Sequence, residues 1–194
     1  MKRPKISILE RKWLYCGYIA LEEARISISR DPSELPDISH RTAIVRDDAV
    51  AAVVYAPSLG ELVLVRQYRY PISRHQEDWL TEIPAGMVDN GESPEQTLRR
   101  ELYEETGYQA ENVYFIQCFY VSPGISSERL HLFYVEVDPS HRIHQGGGRA
   151  EEQENIEVIH VPKNEVRKWL QEGKILDAKS LIGLQWFFLE KVLD

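Results

Sequence analysis

GMVDNGESPEQTLRRELYEETGY, residues 86–108, reads as a glycine-bearing loop that feeds a helix, and this stretch decides the fold. Ser93 stands at the N-cap, Pro94 at the first helical position and Gln96 three residues on, the pattern of a capping box; Gly107 stops the helix. At about 100° per residue, Leu98 and Leu102 define an apolar stripe, Glu105 projects beside it, and Glu101 lies about 60° away. Glu104 falls further round, next to Arg100. A solvated helix sets its glutamates opposite its leucines, whereas here two acids hug the buried edge. Partly buried carboxylates need a compensating cation. Carboxylates clustered without cysteine or histidine favour a hard ion, Mg²⁺ or Mn²⁺, which keeps several waters and bridges to substrate phosphates. The stretch points to phosphoryl or pyrophosphoryl chemistry.

Short apolar or alternating runs lie on both sides of it. Residues 18–29, 41–45, 49–56, 61–70, 112–121, 129–137 and 155–161 read as strands, with PSLG at 57–60 as a hairpin turn. Helices are expected at 93–107, 163–173 and 178–193. The class is α+β, a mixed β-sheet with helices packed on it and a small N-terminal β region over residues 1–46. With 194 residues, 43% of them hydrophobic, the chain can bury a sizeable core. A net charge of −8 and the lack of any Lys/Arg cluster argue against a nucleic-acid partner. Cys16 and Cys118 show no metal-ligand spacing and read as reduced thiols of a cytoplasmic protein. The basic N-terminus has no apolar run behind it, so no signal peptide is expected, and no run approaches membrane-spanning length. The six histidines show no ligand or triad spacing.

Residues 86–108 resemble a complete Nudix box: Gly86, Glu92, the Arg100-Glu101 pair, the Glu104-Glu105 pair and Gly107 fill its fixed positions. Tyr108 is bulkier than the usual closing residue. The resemblance implies a Nudix fold, a mixed sheet sandwiched between helices, with residues 47–194 as the hydrolase domain. It implies Glu101 and Glu105 as principal metal ligands, Glu104 assisting and the Ala85 carbonyl completing the shell around Mg²⁺, with Mn²⁺ a substitute. Arg100 would orient a box carboxylate, and Glu92 would hold the loop or reach a further metal.

Three further stretches resemble the ADP-ribose pyrophosphatase branch: LVLVRQYRYP with LTEIPAG, VSPGISSE, and GGGRAEEQENIEV. By that resemblance Arg69 contacts the diphosphate, with Arg66 as the alternative, and Glu82 helps hold substrate. Pro123 helps shape the ribose pocket, although Pro123-Gly124 equally suits a plain turn, and Glu128 is a further substrate-binding residue. In the acidic run after the glycines, Glu152 aligns with the general base and Glu154 with a metal ligand, in a register that can slip. Three consecutive glycines suggest a mobile segment that closes over a site. Tyr18, or else Trp13, would stack on adenine, with core packing as the competing explanation. The N-terminal β region would serve base binding and homodimer formation. The expected reaction is hydrolysis of ADP-ribose to AMP and ribose 5-phosphate. GDP-mannose or another nucleoside diphosphate sugar is the nearest alternative, and a module that senses ADP-ribose without cleaving it is the alternative of another class.

Overall fold

The computed structural model describes residues 3–30, 33, 35–75, 79–149 and 154–191. Its contacts divide the chain into two units, 1–47 with 120–128, and 48–119 with 129–194.

The first unit is an antiparallel sheet in the order β1 (Lys5–Cys16), β2 (Ala20–Ser29), β3 (Asp37–Val45). The sequence reading missed β1. Its alternation is broken by register shifts between Ile8 and Glu10 and between Trp13 and Tyr15, and every residue along it is exposed, so no buried face imposes a period of two. Strand β3 starts at Asp37 rather than at residue 41. Residues 120–128 join this unit through backbone bonds from Ile44 N–H to the Ile125 carbonyl (2.8 Å) and from Ser127 N–H to the Ile44 carbonyl (3.0 Å).

The second unit is built on a mixed sheet whose central path runs β10 (Ile156–Pro162), β5 (Glu61–Tyr68), β4 (Ala49–Ala56), β9 (Arg129–Glu136), β8 (Asn112–Tyr120). Strands β4 and β9 are parallel, and β5 runs antiparallel to β4 and β10. Near their turn β4 and β5 pair from Val54 opposite Val63 to Ala56 opposite Glu61, then separate. Into the opening come two short strands, β6 (Trp79–Glu82) on β5 and β7 (Ala85–Met87) on β4. Both were missed, because four and three residues divided by Pro84 carry too little pattern to read. They bring Glu82 and Ala85 to the middle of the sheet.

The two faces of the sheet are read off by parity. Ala51 and Val53 of β4, Leu62 and Leu64 of β5, and Leu132 and Tyr134 of β9 face helices α2 (Lys163–Gln171) and α3 (Ala178–Glu190), which supply Val166, Leu184 and Phe187. Val50, Ala52 and Val54 with Val63, Phe133 and Val135 face α1 (Pro94–Thr106), which supplies Leu98 and Leu102. Both leucines are fully buried, and each stabilises the docking by roughly 1.5–3 kcal/mol. A mixed sheet between helices, as the sequence implied, is the observed α+β arrangement. No helix among the described residues is long and apolar enough to cross a membrane.

Candidate functional site

Helix α1 begins as its sequence dictates. The Ser93 N–H donates to the Gln96 side-chain oxygen (2.8 Å), and the Gln96 N–H donates to Ser93 Oγ (3.3 Å). It ends on Gly107 at φ 79°, whose N–H reaches the Tyr103 carbonyl (2.9 Å). With Leu98 and Leu102 in the core, Glu105 must follow them and is only 1% exposed.

Glu105 Oε2 accepts from the Ala85 N–H (3.1 Å), which ties the acid to β7. One residue on, a Cβ at Gly86 would overlap the Glu101 carboxyl, so a side chain there would displace that acid from its place beside the strand. Arg100 gathers two further acids of the helix and two of the loop before it. Its Nη1 donates to Glu101 (2.9 Å) and Glu104 (3.1 Å), and its Nη2 meets Glu92 (3.2 Å) and Asp89 (2.9 Å). Glu92 also accepts from Thr97 Oγ1 (2.8 Å), which locks the loop to the helix. Asp89 had no role in the sequence reading, since an aspartate beside asparagine and glycine looks like turn chemistry.

The glycine run is docked on this helix. Gly146, Gly147 and Gly148 have φ of 74°, 117° and 77°. The Gly147 N–H donates to the Glu105 carbonyl (2.9 Å) and the Gly148 N–H to the Glu104 carbonyl (3.2 Å), so they satisfy carbonyls at the helix C-terminus. Left-handed backbone at these glycines is needed for the close approach to the helix, while the acidic run expected on a mobile segment lies, through residue 153, outside the described residues. Glu154 follows, its Oε2 accepting from the Arg149 N–H (3.0 Å). Glu152, the expected general base, lies outside the described residues.

Electrostatics join these groups. Burial pushes the Glu101 carboxyl up to about 7, with Glu104 and Glu154 adding to the rise against the pull of Arg100. Burial raises Glu105 well above the ordinary value, and Glu101 and Glu154 push the same way, opposed by the Ala85 N–H and by Arg69. Glu101, Glu105 and Glu154 therefore share one field, with Arg69 at its edge. The donors are all carboxylate oxygens, the chemistry of a hard divalent cation. No three His, Cys, Asp or Glu side chains among the described residues stand close enough to hold a metal ion as they are; Arg100 engages Glu101 and Glu104 instead.

Arg69 sits at the end of β5. Its Nε and Nη2 donate to Glu82 Oε1 (3.0 Å) and Oε2 (2.8 Å), and its side chain remains 39% exposed. The alternative, Arg66, bonds Thr81 Oγ1 (3.2 Å) and pairs with Glu157 (3.6 Å). Glu82 was expected to help hold substrate. Its side chain is 2% exposed and its two oxygens serve Arg69 and Lys179. Burial opposes its charge, but the two cations outweigh that and hold it below the ordinary carboxylate value. Lys179 was not foreseen, because a lysine near the start of an apolar helix carries no sequence signal.

Tyr18, Pro123 and Glu128 belong to the first unit. Tyr18 lies in the turn between β1 and β2 and is 95% exposed, which removes core packing within this chain as its explanation. Trp13, on β1, is also exposed. Pro123 starts a turn closed by bonds from the Ile125 and Ser126 N–H groups to the Ser122 carbonyl (3.0 and 2.9 Å). The Glu128 N–H donates to Ser126 Oγ (3.2 Å).

A pH dependence follows from the acids. Folded Glu101 and Glu105 keep protons that the unfolded chain releases near 4.5, so the native state binds more protons between there and about 7. Stability then falls as pH rises through that window. In EDTA, the melting temperature is expected to drop from about pH 5 to about pH 8, and a Glu101→Gln/Glu105→Gln variant should flatten the profile. Identical profiles for the two proteins would refute the assignment.

Comparisons with known proteins give the family and the fold. Residues 45–181 match the NUDIX domain. The ADP-ribose pyrophosphatase of Haemophilus influenzae is 36% identical over 190 residues, 95% of this chain and 86% of that protein. The GDP-mannose pyrophosphatase of Pectobacterium atrosepticum is 35% identical over 182 residues, 93% of this chain and 92% of that one. A crystal structure of an ADP compounds hydrolase superposes with a TM-score of 0.73, covering 100% of this chain and 95% of that chain, at 19% identity, a likeness of fold alone.

Proposed function

The chain belongs to the NUDIX domain family, and from that premise we propose that it hydrolyses the pyrophosphate bond of ADP-ribose to AMP and ribose 5-phosphate. The observation that carries this reading is the charge-coupled set Glu101, Glu105 and Glu154 beside Arg69. Those acids would hold Mg²⁺, with Mn²⁺ a substitute, and Glu104 and the Ala85 carbonyl would complete the site. When bound, the metal neutralises the diphosphate and lowers the pKa of water.

The remaining work falls to the chain's own groups. Arg69 binds a diphosphate oxygen with the part of its guanidinium that Glu82 does not occupy. Arg100 keeps Glu101 and Glu104 aimed from α1 and touches no substrate. Glu152 accepts the proton of the attacking water as a new oxygen–phosphorus bond forms and the bridging oxygen leaves in line. Tyr18 stacks on adenine, while Pro123 and Glu128 border the ribose. A homodimer formed through the N-terminal β region and a cytoplasmic location complete the reading.

The second reading, GDP-mannose hydrolysis, is favoured by the relative from Pectobacterium atrosepticum. Specificity constants for ADP-ribose and GDP-mannose, measured side by side with Mg²⁺, separate the two. We expect kcat/KM for ADP-ribose to be higher by at least about tenfold, a difference of roughly 1.4 kcal/mol in transition-state binding. The reverse order would keep the chemistry and move the substrate.

A further inference from the structure

Asp177, Lys179 and Ser180 sit where α3 begins, directly behind the strand that carries Glu82. Asp177 caps the helix: its Oδ2 accepts from the Ser180 N–H (3.0 Å), Ser180 Oγ (2.6 Å) and Lys179 Nζ (2.9 Å). Ser180 is fully buried, and its Oγ accepts from the Ile83 N–H (2.9 Å), the residue next to Glu82. Lys179 Nζ donates to Glu82 Oε2 (2.6 Å), the oxygen that also takes Arg69 Nη2. The side chains of Glu82, Lys179 and Asp177 are 2%, 14% and 19% exposed. Arg69 alone reaches well into solvent.

We infer that Lys179 is a positioning residue for substrate binding: through Glu82 it sets the direction and the surrounding charge of Arg69. This rests on the reading above, in which Arg69 meets a nucleoside diphosphate. The array contains two cations, Arg69 and Lys179, and two anions, Glu82 and Asp177, so it is neutral as a whole. A buried carboxylate served by a single cation is poorly compensated. Without Lys179, Glu82 would draw on Arg69 alone, and a net negative array would face an anionic substrate. Arg69 Nη1 takes no part in the Glu82 pair, which leaves that end for a phosphate oxygen. The serine bond to the Ile83 N–H fixes the same strand, so α3 holds both the backbone and the charge behind Arg69.

The test compares Lys179→Met, Lys179→Arg, Glu82→Gln and the Glu82→Gln/Lys179→Met pair with the wild type. It reads KM and kcat for ADP-ribose with Mg²⁺, the calorimetric Kd for ADP-ribose in EDTA, and the melting temperature. Lys179→Met is expected to raise KM and Kd by about tenfold or more while kcat stays within about threefold, the signature of lost uniform binding. Lys179→Arg is expected to recover most of that loss, and Lys179→Met should add little on a Glu82→Gln background. Lys179→Met with unchanged KM and Kd but a lower melting temperature would reduce Lys179 to a structural clamp. Additive effects in the Glu82→Gln background would also overturn the inference. If Lys179→Met folds poorly, the double variant, which removes the buried charge as well, carries the comparison. A wild type that hydrolyses ADP-ribose while Lys179→Met matches it sinks this inference alone. A wild type that neither binds nor cleaves ADP-ribose or GDP-mannose sinks the function and the inference together.

Discussion

Glu105→Gln is expected to lower kcat for ADP-ribose by about 10³-fold at saturating Mg²⁺, roughly 4 kcal/mol of transition-state stabilisation. The substitution keeps shape and removes charge. The amide oxygen can still accept from the Ala85 N–H, the bond that ties α1 to β7. Fold and metal chemistry are therefore separable at this position. Burial already disfavours the Glu105 carboxylate, with Glu101 and Glu154 adding to that cost. In EDTA at neutral pH, Glu105→Gln should thus melt no lower than the wild type, and it should lose most of the stabilisation that Mg²⁺ gives the wild type. A variant that melts early in EDTA and retains turnover would mean that Glu105 is a packing residue.

A large effect on stability is expected at Gly146. Its φ of 74° favours glycine, and a Cβ there would run into the Glu105 carbonyl and the Thr106 backbone. Gly60 offers the control, with φ 67° and nothing within 4 Å of a built Cβ. Gly60→Ala should cost about 1 kcal/mol, the left-handed backbone penalty alone. Gly146→Ala should cost at least about 2 kcal/mol more, a further drop of roughly 4–8 °C in melting temperature for a chain of this size. The displaced loop also carries Glu154, bonded to the Arg149 N–H, so metal affinity should weaken in the same variant. Equal losses at the two glycines would show that the loop gives way without cost.

The site's central helix was legible because its signals are local. Capping by Ser93 and Gln96, the stop at Gly107 and the angle between Glu105 and the two leucines all follow from spacing along one element. The sheet's long strands were legible too, since β4, β5 and β9 are buried on both faces and read as continuous apolar runs. What escaped depends on partners distant in sequence. Strands β6 and β7 exist only because β4 and β5 separate and leave their edges to be paired. Lys179 matters through Glu82, which lies on another element altogether. The positive φ of the glycines at 146–148 serves a backbone contact with α1 that no local pattern reveals. For β1, exposure along the whole strand left no alternation to detect.

The most direct test of the central claim is to incubate the protein with ADP-ribose, separate the products by chromatography, and repeat the incubation with EDTA and with Mg²⁺ restored. The expected result is AMP and ribose 5-phosphate in equal amounts with Mg²⁺, none above background in EDTA, and recovery when the metal returns. Intact ADP-ribose under all three conditions, from a folded protein that binds it, would contradict the hydrolytic assignment and leave a site that recognises the diphosphate without cleaving it.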